Sequence, residues 1–148
     1  MPAFPATPAI YGGHSVRQYI VKAAEDWKLG AAVVLDATPE LVECGTDPAL
    51  ILGFASEAVT SGVSKDPEGA LKCLVNVASE GQKFWMSGSS NPAITDVNVS
   101  YGIIADANGI WIVDKTETVA TRVYVHQVDL TRNLFLVSVL AANRQAAP

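Results

Sequence analysis

The sequence predicts an all-β protein: a single small β-barrel or barrel-like sandwich with an extended N-terminal arm. Three observations carry this. Short runs rich in Val, Ile, Leu and aromatic residues recur along the chain and are cut by Gly, Pro, Asn and Asp turn signals. No long stretch keeps the apolar period of a helix. The dipeptide Asn108-Gly109 stands between two apolar runs, which is a strong short-range hairpin signal.

Residues 1–13 form the arm. Pro2, Pro5 and Pro8 fix φ and withdraw backbone donors, and Gly12-Gly13 ends the segment, so neither a helix nor a central strand is expected there. Phe4, Ile10 and Tyr11 give the arm apolar side chains with which to dock on a neighbour. Residues 14–148 then make one β-barrel-like domain, with no internal repeat and no low-complexity linker. Strands are expected over 18–23, 31–35, 41–44, 49–55, 71–77, 83–86, 100–105, 110–113, 122–128 and 134–140. The breaks between them are Thr38-Pro39, Gly45 with Asp47-Pro48, Gly62, Asp66-Pro67, Glu80-Gly81, the loop 88–92 and Asn108-Gly109.

Asn108-Gly109 suits the two positive φ values of a type I′ turn, which would pair Ile103-Ile104 with Trp111-Ile112-Val113. The segment 122–128 alternates, with Val123, Val125 and Gln127 on one side and Tyr124, His126 and Val128 on the other. Thr131-Arg132-Asn133 then links it to the last strand as a second hairpin. Short helical turns are expected over 47–52, where an Asp N-cap precedes Pro, and over 55–61. About ten strands in one flat sheet would leave long exposed edges, so closure into a barrel or sandwich is favoured.

At 148 residues the chain is one domain by size and can bury a sizeable core. Only 17% of residues are charged, against about 25% in an average globular protein. Much of the surface must therefore be neutral, which suits contact with other proteins. The formal net charge is -5 and no basic run occurs, which argues against nucleic acid as a partner. The apolar runs are too short to span a bilayer, so no membrane association is expected. The first residues lack a basic and an apolar signal region, so the protein is expected to be made and kept in the cytoplasm, or assembled there into something larger. Cys44 and Cys73 lack C-x-x-C spacing and are expected to be buried and reduced.

No catalytic, cofactor-binding or metal-ligating set emerges. His14 and Ser15 are adjacent, and adjacent residues on an extended chain point to opposite faces, a poor base and nucleophile pair. His126 has no second ligand at strand spacing and is expected to be half-buried and hydrogen-bonded at a sheet edge. Residues 106–109 lack the further oxygens and closing Glu of a calcium loop. Glu25-Asp26 and the Asp114–Glu117 pair have the spacing of solvated turns, not of carboxylates converging in a cleft. Phe84 and Trp85 are neighbours on a strand, so one must face outward. An outward Trp85 is a contact-site candidate alongside Phe4, Ile10 and Tyr11.

The order of segments resembles a known family. Leu29-Gly30-Ala31-Ala32-Val33-Val34-Leu35, Leu41-Val42-Glu43-Cys44-Gly45 and Asp47-Pro48-Ala49-Leu50-Ile51-Leu52-Gly53-Phe54-Ala55 are similar to the opening of small capsid decoration (cement) proteins of tailed bacteriophages. So are Gly81-Gln82-Lys83-Phe84, Ser100-Tyr101-Gly102-Ile103, Gly109-Ile110-Trp111-Ile112-Val113-Asp114 and the closing runs 121–125 and 134–137. The resemblance covers residue 29 to the end and rests mainly on the order of strand-plus-glycine segments. It implies a non-enzymatic β-domain on the capsid exterior of a virion, bound to the major capsid protein at capsomer junctions as a dimer or trimer. It carries over no catalytic residue. Deleting residues 1–13 is then expected to lower shell occupancy with the fold intact. Two other classes fit the same strand pattern: a tail-tube or head–tail connector protein, and a barrel enzyme or small-ligand-binding barrel with Trp85 and His126 at its mouth.

Overall fold

The structure, a computed structural model, describes residues 3–9, 15–61 and 69–146. Strands make up 42% of it and helix 5%, which bears out the all-β reading. The elements are β1 (Thr7–Pro8), β2 (Ser15–Ile20), β3 (Ala32–Leu35), β4 (Leu41–Glu43), β5 (Gly53–Ala55), β6 (Lys72–Val77), β7 (Phe84–Met86), β8 (Ser100–Ala105), β9 (Trp111–Asp114), β10 (Val123–Asp129) and β11 (Leu134–Val139).

They form two antiparallel sheets. The first runs β1-β7-β11-β10-β8-β9 and the second β2-β6-β5-β3-β4. Each curls until distant parts meet at a single parallel bridge: Val21 to Leu41 in the second, Gly88 to Val113 in the first. The result is a barrel-like β-sandwich. One apolar core joins the sheets, with Ala32, Val33, Phe54 and Val75 from one side and Phe84, Ile103, Trp111 and Phe135 from the other. Phe54 and Phe84 meet across it with ring centroids 4.7 Å apart, tilted by 58°. Aromatic pairs favour such a tilted geometry over face-to-face stacking. Cys44 and Cys73 are both buried, and burial pushes the Cys44 thiol up to about 12.

The described part of the arm lies on its own domain. β1 pairs with β7 through Thr7–Trp85 and Pro8–Phe84, and Ala6 and Ala9 are buried. The docking surface is therefore this chain's own sheet. A proline fits there because β1 is the edge strand, where a missing N–H breaks no ladder. The strand expected over 18–23 starts earlier, at Ser15, and that expected over 49–55 shrinks to Gly53–Ala55. Ile10, Tyr11, Gly12-Gly13, His14, Gly62 and Asp66-Pro67 lie outside the described residues.

Three local expectations are corrected. The hairpin pairs as predicted, Ile103 with Val113 and Ile104 with Ile112, but its turn is not type I′. Gly109 alone takes a positive φ, +79°. Its N–H donates to the Asp106 carbonyl at 3.0 Å, and the Asp106 N–H donates to the Ile110 carbonyl. This is a type I turn with a glycine bulge. Asp106 decides it, because its Oδ1 accepts the N–H groups of Asn108 and Ile110.

The alternation in β10 breaks at His126. Val125 faces Val137 and Gln127 faces Leu136, so His126 is an extra residue in a bulge. Beyond it Val128 turns back to the core side and Gln127 is exposed, the reverse of simple alternation.

No helix forms over 47–52 or 55–61; the short 3-10 helices are Ile94–Asp96 and Ala141–Asn143. Asp47 sits at φ +47°. Its carboxylate reaches across to the other sheet and accepts the Ile103 N–H at 3.1 Å instead of capping its own segment. Arg122 completes this strap by donating to the carbonyls of Asp47 and Pro48.

Burial, then repulsion from Glu117 and Asp114, pushes Asp47 above the usual carboxylate range, against the pull of the Ile103 N–H and Arg122. A raised pKa means that ionised Asp47 costs the folded state stability near neutral pH, a cost that fades as the pH falls through that pKa. Asp47→Asn keeps the acceptor and tolerates a positive φ. Thermal unfolding at pH 7 should show the variant melting higher than the parent, with the gap closing on acidification. An equal or lower melting temperature at pH 7 would remove the electrostatic account.

The C-terminal residues tie the second sheet. Gln145 clamps Leu35, accepting its N–H at 2.8 Å and donating to its carbonyl at 3.0 Å. Ile51 and Arg144 form a parallel bridge beside it.

Candidate contact surface

The outer face of the first sheet carries a row of side chains set by strand register: Thr7, Trp85, Leu136 and Gln127 stand opposite one another across four strands. Their sequence neighbours Phe84, Phe135 and Val137 fill the core. Phe84 therefore faces in and Trp85 faces out, half-buried. The Arg132 guanidinium lies 5.6 Å from the Trp85 ring centre, within cation–π range. Arg132 also pairs with Asp129 at 2.8 Å, and its backbone N–H together with the guanidinium holds the Asp129 carboxyl below its usual range. Asp129 Oδ1 accepts the N–H groups of Thr131 and Arg132, which sets the β10–β11 turn.

Phe4 is 50% exposed, and its N–H donates to the Ser87 hydroxyl at 2.7 Å. It borders a cleft of about 300 Å³ walled by the 87–91 loop, the tip of the β8–β9 hairpin and Arg132. Lys115 braces that loop. Its backbone N–H donates to Ser89 Oγ, and its ammonium donates to the Asn91 carbonyl and pairs with Asp96 at 2.9 Å. Asp96 is buried. Burial pushes its pKa up, but the Tyr101 hydroxyl, Lys115 and the Ala93 N–H more than offset this and hold it below the usual value.

Of the residues singled out from sequence, the structure thus sets Trp85 against Arg132 and Phe4 in the cleft that Arg132 helps to wall, Arg132 being a residue that no motif marks. Ile10 and Tyr11 lie outside the described residues. His126 is half-buried, shares a 2.8 Å hydrogen bond with Ser138 Oγ and meets the Tyr124 ring edge-on. Burial, then Lys83, lowers its pKa, which favours the neutral ring.

A second apolar strip lies on the other sheet. Val16, Ile20 and Leu74 are 43%, 48% and 39% exposed. The pairings Gln18–Leu74 and Val16–Asn76 place Val16, Leu74 and Ile20 on one face. Neighbouring β5 continues that face with Phe54, which is covered by the first sheet. The strip is thus the part of the inter-sheet surface that the first sheet does not reach.

Among the described residues no group of three or more His, Cys, Asp or Glu side chains could hold a metal ion, and no helix is long and apolar enough to cross a membrane. No protein-family model matches the chain, and no curated protein matches it.

Proposed function

We propose that the chain is a non-enzymatic virion protein that binds the outer surface of an assembled phage capsid at capsomer junctions and stabilises the shell. The observation that carries this reading is apolar surface on both sheets: Phe4, with Trp85 beside Arg132, on one, and Val16, Leu74 and Ile20 on the other. A protein that bridges neighbouring subunits needs two such surfaces, where a simple dimer needs one. The order of strand-and-glycine segments, similar to phage decoration proteins, gives the partner: the major capsid protein. Binding that occurs only on the assembled shell adds its free energy to the assembled state by mass action. A net charge of -5 keeps such a protein off the packaged DNA.

The test is co-sedimentation with capsids that lack the protein, followed by electron microscopy. Regular added density at capsomer junctions is the expected result. Deleting residues 1–13 is a poor probe, because it removes β1 and strips the packing around Ala6 and Ala9. Phe4→Glu changes a side chain that is half exposed. It should cut shell occupancy at least about tenfold, the effect of losing about 1.4 kcal/mol, while thermal unfolding stays near the parent's. Unbound shells, with rings or tubes formed by the protein alone, would replace this reading with a tail-tube or connector protein.

A further inference from the structure

Of the four edge strands in the two sheets, three are blunted. β1 has two residues, one of them Pro8. β4 has three; its Leu41 carbonyl accepts the Lys22 N–H at 3.0 Å, and its Glu43 N–H donates to Glu25 Oε1 at 2.8 Å. β9 is tied to the loop beside it, where Val113 donates to the Ser87 carbonyl and accepts from the Ser89 N–H. Short strands, proline and covering loops guard an edge against pairing with another chain. β2 has none of them. It runs six residues, pairs with β6 in unbroken register, and is exposed at Val16, Arg17, Gln18 and Ile20. The Val21 N–H donates to Leu71, on the β6 side, and the Lys22 N–H donates away from it to Leu41. Main-chain groups alternate sides along a strand, so the N–H and C=O groups of Val16, Gln18 and Ile20 point away from β6. Among the described residues no hydrogen bond takes them up.

We infer that this edge pairs antiparallel with β2 of a second copy, about a two-fold axis at Gln18. The strand is self-complementary in that register. Val16 stands opposite Ile20 of the second copy and Gln18 opposite its own counterpart, and each such pair exchanges two main-chain bonds. On the other face Arg17 stands opposite Tyr19 of the second copy, a cation beside an aromatic ring. The neighbouring registers are worse. A centre at Arg17 sets two guanidinium groups against each other. A centre at Tyr19 carries Val16 to Lys22, whose N–H is already given to Leu41. Any extended segment could satisfy the bare main chain; the order apolar, cation, amide, aromatic, apolar over 16–20 is what selects a second copy. Edge pairing leaves the sheet faces open. It sets Val16, Ile20 and Leu74 beside their counterparts, which doubles the apolar strip instead of covering it.

Five paired residues make a small interface, so half-dimerisation is expected between about 10 µM and 1 mM. Sedimentation velocity of the purified full chain, without shells, measures it. Amide hydrogen exchange identifies the edge: protection at Val16, Gln18 and Ile20 should rise with protein concentration, while Arg17 and Tyr19, whose N–H groups face β6, should not change. Gln18→Pro removes an outward N–H and spares the β6 ladder, and should weaken association at least about tenfold. Val16→Lys, at a position 43% exposed, should do the same and keeps the test valid if proline disturbs the strand. Gln18→Cys should give a disulfide-linked dimer with oxidised glutathione, because Cα atoms of a hydrogen-bonded pair lie about 5.5 Å apart, within disulfide reach. Cys44 and Cys73 are buried and do not compete. Four results would each overturn the inference: a monomer at about 1 mM, association unchanged by both Gln18→Pro and Val16→Lys, a Gln18→Cys chain that dimerises unlinked, or protection of the three amides only when shells are added. The last would assign the edge to a strand of the capsid protein. Phe4→Glu should leave self-association untouched, which separates this inference from the shell reading.

Discussion

Gly53→Ala is expected to be the most damaging small substitution in the chain. A Cβ at position 53 would stand 2.2 Å from the Asn76 carbonyl oxygen and 2.9 Å from Val77 Cα. Both are backbone atoms of the neighbouring strand, so no side chain can rotate away. The β5–β6 pairing, Gly53 with Val77 and Ala55 with Val75, must open to admit the methyl group. Overpacking of this kind costs roughly 1–3 kcal/mol and more where the obstacle is rigid. We expect a loss of about 3 kcal/mol or more, a large share of the stability of a domain this size. The midpoint of urea unfolding measures it. A shift equivalent to less than about 1 kcal/mol would mean that β5 is free to move.

Phe54→Ala should cost about 3–5 kcal/mol, the range for deleting a fully buried aromatic side chain. Phe54 has no exposed surface and meets Phe84 of the opposite sheet. Its removal therefore leaves a cavity at the seam between the sheets and also forfeits the aromatic pair. Val119→Ala, at a position 92% exposed, should stay within about 0.5 kcal/mol and serves as the control. If Phe54→Ala fell near that control, the two sheets would have to hold together without this contact.

Strands are legible in the sequence where burial is one-sided. Phe84 and Trp85 divide between core and surface as a period of two demands, and both predicted hairpins form. The features that sequence hides have physical causes. β1 is masked by its prolines, which rule out a central strand but not an edge one. The His126 bulge leaves no mark in composition, yet it inverts the faces of Gln127 and Val128. The turn at Asn108-Gly109 departs from its dipeptide signal because the Asp106 carboxylate, two residues before the pair, chooses its geometry. The Phe4 side of the contact surface is partly visible from sequence. The open edge of β2 is not, because a strand's place in the sheet order is set by partners far along the chain.

The clamp of Gln145 on Leu35 has a consequence for biosynthesis. Strand β3 leaves the ribosome early, but its backbone partners at Leu35 are supplied 110 residues later. β1 and β2 wait in the same way for β7 and β6. Pairings so distant in sequence close slowly. The second sheet can pair strand by strand as residues 15–77 emerge, but the clamp on Leu35 closes only when Gln145 follows. Factors that shield extended apolar segments on the ribosome would then protect the first sheet's partners and this late clamp until they close.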